Sequence, residues 1–311
     1  MKLCRFDHDR IGLVEGDQVF DITDQFNRRP PWPTPSGDWI ISQAEAILEV
    51  LKTETAWRVG RPLSEVRLDS PVAAPGKIIG APINYRAHID EAHDDQGIGF
   101  GRAFADLKDH GLFLKAQSSL IGPSDEVRLR FPERRSDHEV ELVAVIGREA
   151  SQVSRDQALD HVFGYAVGLD MTVRGPEWPV FRKSADTYCV LGPWIVTADE
   201  IPDPNALDLE LTVNGEVRQK ANTAQLIHDV QALIEYASSF YTLYPGDLVF
   251  TGTPEGVSQV VLGDVMEAGI EGIGVMRVKV ADEWFSTAAA EDGGAAQKAL
   301  AAKPLGGTRA Y

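Results

Sequence analysis

Cysteine is nearly absent from this chain. Two residues, Cys4 and Cys189, occur in 311. Thiols so few and so far apart build neither a disulfide framework nor a cysteine zinc site. Basic charge is also scarce. Thirty Lys and Arg stand against 47 Asp and Glu, a net charge of −17. Nucleic-acid binding needs a basic footprint, so that class is excluded, and so is docking on an anionic membrane. No run of eighteen apolar residues is present, so no membrane-spanning helix is expected. The opening MKLCRFDHDR lacks the apolar core of a secretory signal, and a cytoplasmic location is the expectation. GxGxxG, P-loop and HExxH patterns are missing too, which argues against dinucleotide, nucleotide and zincin chemistry.

What is present is a β-rich pattern. Residues 1–72 read as a small N-terminal α+β module. It comprises the strands KLCRFD and RIGLVEGDQVFDIT, the proline-rich loop RRPPWPTPSGDW and the amphipathic helix ISQAEAILEVLKTE. After SPVAAPGK the texture changes to KIIGAPINY, an apolar strand entering a loop. Residues 86–112 are polar and glycine-bearing, hold His88, His93 and His110, and read as a short helix followed by a mobile lid. From 125 onward EVRLRF, EVELVAVIG, FGYAVGLDMTV, GPWIVTADEI and LDLELTVNGEV read as strands, with Asn214-Gly215 marking a hairpin. Leu226, Ile227, Val230, Leu233, Ile234, Ala237 and Phe240 recur at helical spacing, with Asn222 or Thr223 as the cap. The Ala/Gly-rich stretch 286–311 reads as a loosely ordered tail. Strands outnumber helices and do not alternate with them, so a doubly wound nucleotide fold is excluded.

Three acids stand among apolar neighbours. Glu139 and Glu141 open the run LVAVIG, and Asp170 closes FGYAVGL. Residues two apart on a strand share a face, so the two glutamates lie side by side. Converging carboxylates repel unless a proton or a cation neutralises them. Oxygen-only ligands suit Mg²⁺ or Mn²⁺. In a chain with 47 acids an E-x-E pair arises easily by chance, and a solvated edge strand is the usual reading of it alone. Asp137 shares the glutamates' side as a weaker fourth candidate, while His138 faces the other way and reads as a packing residue. His228 reads as a core or interface histidine.

Taken together, KIIGAPINYRAHIDEA, FLKAQSSLIGP, DHEVELVAVIGREA, GYAVGLDMTVRG, RKSADTYCVLGPWIVTADEI, LTVNGEVRQKANTAQLIHDV and PGDLVFTGTPEGV resemble the fumarylacetoacetate hydrolase superfamily, in its order, over roughly residues 75–280. The resemblance implies a mainly β protein with some α, a mixed β-sandwich roll, with a catalytic domain over 73–285 and a homodimeric assembly. It implies Mg²⁺ or Mn²⁺, with Ca²⁺ as a further option, bound by Glu139, Glu141 and Asp170. It maps a water-activating dyad onto His88 and Glu91 and the lysine of K-S-x-D-T onto Lys183. It places Arg174, Gly252 and Thr253 toward substrate, with Tyr85 and Lys115 as further pocket residues. The implied activity is cleavage of a carbon–carbon bond in a β-diketone or acylpyruvate-type oxo-acid, in the breakdown of an aromatic compound. Isomerase, hydratase or decarboxylase chemistry on the same scaffold is the alternative, and a non-catalytic metal- or metabolite-binding protein is the other class. Two departures fall near the expected pocket. RGPEW replaces the family's arginine-acid-x-glutamine run, and FLKA replaces FxKP, with Ala116 where proline is usual.

Overall fold

The computed structural model describes residues 1–52, 59–99 and 111–281. The expected lid beyond Gly99, His110 with it, and the expected tail lie outside the described residues.

Among the described residues two main sheets make the architecture, a large one of twelve strands and a small one of five, and a two-stranded ribbon pairs Ser136–Asp137 with Thr172–Val173. At the centre of the large sheet run Val140–Ile146, Val162–Asp170 and Cys189–Thr197, each antiparallel to its neighbour. The first two are buried at every position. That is why VELVAVI and VFGYAVGLD are near-continuous apolar runs rather than alternating ones: both faces of these strands are covered. Leu248–Phe250 flanks Val140–Ile146, and Ile78–Gly80 then pairs in parallel with Leu248–Phe250. Phe113–Lys115 completes that side.

The N-terminal strand Lys2–Phe6 pairs antiparallel with Cys189–Thr197, so the first hairpins extend the same sheet. Their Leu3, Ile11 and Leu13 share a core with Val143, Val145 and Phe250. Cys4 and Cys189 are both buried, and burial pushes each thiol up to about 12, which leaves them unreactive at neutral pH.

The small sheet shows the opposite pattern. Asp208–Val213 alternates exposed or half-buried residues with buried ones. Its Leu209 and Leu211 join Leu142, Val167 and Val190 of the large sheet in one core, which makes the pair a sandwich. Asn214 and Gly215 both have positive φ, 53° and 82°, as the predicted two-residue hairpin requires.

One expectation is corrected. The helix starts at Val230, capped by Asp229, whose carboxylate accepts the Ala232 N–H at 2.9 Å. Asn222 caps only a short turn, Thr223–Gln225. The cause is Asn84. Its backbone carbonyl accepts the Ile227 N–H, its side-chain oxygen accepts the His228 N–H, and its amide donates to the His228 carbonyl. Leu226 also bridges Tyr85. These contacts hold 226–228 as a bridge residue and a bend and delay the helix, so His228 precedes it, half-buried.

Candidate metal and catalytic site

Register brings the three acids together. Val140 lies opposite Leu169 and Glu141 opposite Gly168, while the Asp170 N–H donates to the Glu139 carbonyl at 2.9 Å. The three carboxylates have oxygens within 4.8 Å of one another, and all three are buried. This is not a solvated edge: Glu141 and Asp170 stand on the two central strands, and Glu139 immediately precedes the first of them.

Each acid is held differently. Lys183 Nζ donates to Glu139 Oε2 at 2.5 Å, to Asp170 Oδ2 at 2.6 Å and to the Thr172 hydroxyl at 2.7 Å. Its three N–H groups are thereby spent on the cradle itself. Lys115, buried as well, pairs with Asp170 Oδ1 and donates to the Tyr188 carbonyl. Arg174 donates to Glu139 at 2.9 Å and to Asp137 at 2.8 Å. Its guanidinium therefore faces two protein carboxylates. Glu141 pairs with no basic side chain among the described residues, and its contact is the Gly252 N–H at 2.6 Å.

The electrostatics follow this arrangement. Burial alone would raise Glu139, but Lys183 and Arg174 outweigh it and hold the carboxyl down at about 2. Burial and the charge of Asp170 push Glu141 well above the usual carboxylate range. Burial works against a charged Lys183, yet Asp170 and Glu139 hold its pKa above the ordinary lysine value. Glu141 is thus the carboxylate of the three with unmet charge. A buried, oxygen-only set with one uncompensated carboxylate fits a hard divalent cation.

His88 and Glu91 lie on the helix Arg86–Asp94, on adjacent turns. His88 Nδ1 is 2.8 Å from Glu91 Oε2, and Glu91 Oε1 accepts the Gly256 N–H at 2.9 Å. The His88 ring is buried and lies near enough to Glu139 to act on its carboxylate. The helix therefore presents the imidazole toward the cradle. One loop serves both groups: Gly252 N–H holds Glu141 and Gly256 N–H holds Glu91. Gly252 has φ +96°, and a Cβ there would meet Asn84 at 2.7 Å, so only glycine fits. The Thr253 hydroxyl donates to the Val140 carbonyl and accepts from Gln219. It braces the strand entering the site.

Tyr85 differs from all of these. Its hydroxyl is buried with no hydrogen-bond partner among the described residues, and burial and Glu141 raise its pKa. A buried unpartnered hydroxyl is costly and calls for an explanation, and a ligand oxygen at this site would supply one.

Asp137 is shared between Arg174 and Arg135 and stands outside the three-carboxylate group. His138 is fully buried between Gln219 and Ser258, as a packing residue. Sequence reasoning missed Thr172, Gln219, Asn84 and Arg135. Thr172 was findable, since it lies two residues after Asp170. The others are brought in by distant parts of the chain and carry no local signal.

The family model described as fumarylacetoacetate (FAA) hydrolase C-terminal matches residues 77–281, the span that builds this site. The chain belongs to the fumarylacetoacetate hydrolase family. Among relatives of known name, a maleylpyruvate hydrolase of Aquipseudomonas alcaligenes is 51% identical over 284 residues, 90% of this chain and 99% of its own. A 2,4-didehydro-3-deoxy-L-rhamnonate hydrolase of a Sphingomonas strain is 42% identical over 71% of this chain and 78% of its own. The crystal structure of maleylpyruvate hydrolase from Sphingobium sp. SYK-6 matches with a TM-score of 0.79 and 42% identity, covering 91% of this chain and 100% of that one. A complex of the same Sphingobium enzyme with manganese(II) ion and pyruvate matches with a TM-score of 0.77 and 42% identity over 90% of this chain and 99% of that one.

Both departures from the family pattern have a structural counterpart. Glu177 pairs with Arg134 through both oxygens, at 3.1 and 2.8 Å, and Arg134 also donates to the Arg174 carbonyl. The Ala116 N–H donates to the Ser184 hydroxyl at 2.9 Å, a bond that proline cannot make. It joins the residue after Lys115 to the residue after Lys183.

Proposed function

We propose that this chain is a divalent-cation-dependent hydrolase that cleaves maleylpyruvate, or an acylpyruvate close to it, in the breakdown of an aromatic compound. The observation that carries this reading is the convergence of Glu139, Glu141 and Asp170, with the hydrogen-bonded His88–Glu91 pair near enough for His88 to act on Glu139. Glu139, Glu141 and Asp170 would hold Mg²⁺ or Mn²⁺, which supplies Lewis acidity toward the oxygens of a 2-oxo acid.

The chain's own groups divide the remaining work. Glu91 accepts the Nδ1–H of His88 and fixes the tautomer that leaves Nε2 free to act as base. Nε2 takes a proton from water as the water oxygen bonds to the carbonyl carbon distal to the pyruvyl unit. The carbon–carbon bond then breaks, and its electron pair leaves with the pyruvyl methylene carbon. The imidazolium returns its proton to that carbon, giving pyruvate and the second carboxylic acid. Lys183, Lys115 and Arg174 keep the ligands ionised and in place. The Tyr85 hydroxyl is the free donor for a substrate oxygen.

A homodimer belongs to this reading: Trp178, Val180 and Phe181 are exposed on the turn before Lys183, where a second copy would cover them. A cytoplasmic location belongs to it as well. Among the described residues no helix is long and apolar enough to cross a membrane.

Pyruvate release from maleylpyruvate tests the function, followed with a coupled lactate dehydrogenase assay in Mn²⁺. Steady release is expected. Consumption of the substrate without pyruvate would instead place the chain among isomerases.

A further inference from the structure

A line of alternating charge leaves the cradle and ends at the helix that carries His88 and Glu91. Glu139 accepts from Arg174 at 2.9 Å, and Arg174 donates to Asp137 at 2.8 Å. Arg135 then donates to the other Asp137 oxygen at 2.7 Å and to Asp95 Oδ2 at 2.7 Å. Asp95 closes the helix Arg86–Asp94, with its N–H on the Glu91 carbonyl at 2.8 Å. Asp137 is fully buried, so both its oxygens must be satisfied, and two guanidinium groups do so.

We propose that Arg135 is a positioning residue: by bridging Asp137 and Asp95 it ties the carboxylate cradle to the helix that presents the His88–Glu91 pair. This rests on the site assignment made above. The Tyr85–Leu226 bridge fixes the start of that helix, and Gly256 holds Glu91 from the side. Asp95 fixes its end, and it does so through a side chain attached to the cradle. The separation between base and cradle is thereby set by a chain of charge-assisted bonds. Arg135 touches neither Glu139 nor His88, so its effect passes through Asp137 and Asp95.

The exposed end gives the safer test. Asp95→Asn removes the charge but keeps an oxygen for the Gly97 N–H that Asp95 now accepts at 2.8 Å. Arg135→Gln removes the bridge, and Arg135→Lys retains one cationic contact. Asp95→Asn and Arg135→Gln are each expected to lower kcat by about ten- to a hundredfold, the scale of a small misplacement of catalytic groups. KM and directly titrated Mn²⁺ affinity should stay within about threefold, because the Lys183 and Arg174 contacts to Glu139 persist. The double variant should be no worse than either single one, since both break the same link. Arg135→Lys should recover part of the loss.

Amide hydrogen exchange gives a reading that needs no substrate. Residues 86–94 should exchange faster in both variants while 140–146 stays protected. Losses that multiply in the double variant, or unchanged exchange over 86–94, would overturn the proposal. A wild type that turns over no acylpyruvate but shows the exchange change leaves the positioning role standing and rejects the function instead.

Discussion

The cradle and the dyad helix meet at one site but are held in different ways. Glu141 and Asp170 stand on two neighbouring central strands that are buried on both faces, and Glu139 immediately precedes the first of them. His88 and Glu91 stand on a nine-residue helix that buries only His88, Ile89 and Ala92. The cradle is fixed by sheet register and by three cations. The helix is fixed by a bridge, one loop amide and one ion pair. Carboxylates that would have to hold a cation in a fixed geometry are built into the buried centre of the fold, and the His88–Glu91 pair, proposed for proton transfer, sits where a few contacts set its position.

The largest effect should come from breaking the cradle, and its two glutamates should break differently. Glu141→Gln removes a charge that no basic side chain meets, yet keeps an acceptor for Gly252. Mn²⁺ affinity should fall by more than the ~10–100-fold that loss of an outer partner costs, with metal-free stability unchanged or higher. Glu139→Gln leaves Lys183 and Arg174 short of a partner and should destabilise the fold by about 3–5 kcal/mol. Metal titration and thermal melts in EDTA read both. Equal melts for the two variants would contradict the difference drawn between them.

Next comes the helix. His88→Gln should cut kcat by about 10²–10⁴-fold, the usual weight of a general base, with Mn²⁺ affinity and melting temperature near wild type. A loss of metal binding in this variant would show that the two regions are not separable.

The pH response sharpens the comparison within the cradle. Glu141 has its folded pKa raised above the ordinary 4.5, so the unfolded chain releases that proton first. Stability of the metal-free protein should therefore decline as pH rises from about 4.5 through the folded value. Mn²⁺ replaces the proton and should flatten the decline. Glu139 behaves in the opposite sense. Held at about 2, it contributes stability that is present above about 4.5 and lost as pH falls toward 2. Melting temperature against pH, with EDTA and with Mn²⁺, checks both signs.

The smallest effect concerns the family departure at 116. Ala116 has φ −63°, which proline adopts without strain. Ala116→Pro removes the bond to Ser184, worth about 1 kcal/mol, and gains a similar amount by restricting the unfolded chain. Stability should be near neutral, and kcat should change by about twofold at most. A large fall in kcat would show that this single bond between the Lys115 and Lys183 segments sets the cradle's geometry.

The same comparison explains what the sequence revealed. The three acids carried a local signal, since they punctuate two long apolar strands and the E-x-E spacing fixes a shared face, but that signal alone reads most often as a solvated edge, and the metal reading came through the resemblance. The dyad was legible only through resemblance, since H-x-x-E on a helix is common. The charges that hold the cradle were largely hidden. Lys115 reaches Asp170 across 55 positions, and Arg135 reaches Asp95 across 40. The false start of the helix at Leu226 has the same origin. Its periodicity was genuine, but Asn84, 144 positions from His228, captures the first turn. Local pattern specifies elements, and contacts of this range decide where they begin and which charges they meet.

The central claim is that a divalent cation on Glu139, Glu141 and Asp170 and the base His88 act together on an acylpyruvate. Initial rates of pyruvate release from maleylpyruvate, measured across Mn²⁺ concentration beside directly titrated Mn²⁺ binding, test it most directly. The account predicts that rate and occupancy rise together, that EDTA abolishes the rate, and that His88→Gln binds Mn²⁺ normally without turning over. A rate that persists in EDTA, or that survives in His88→Gln, would contradict it.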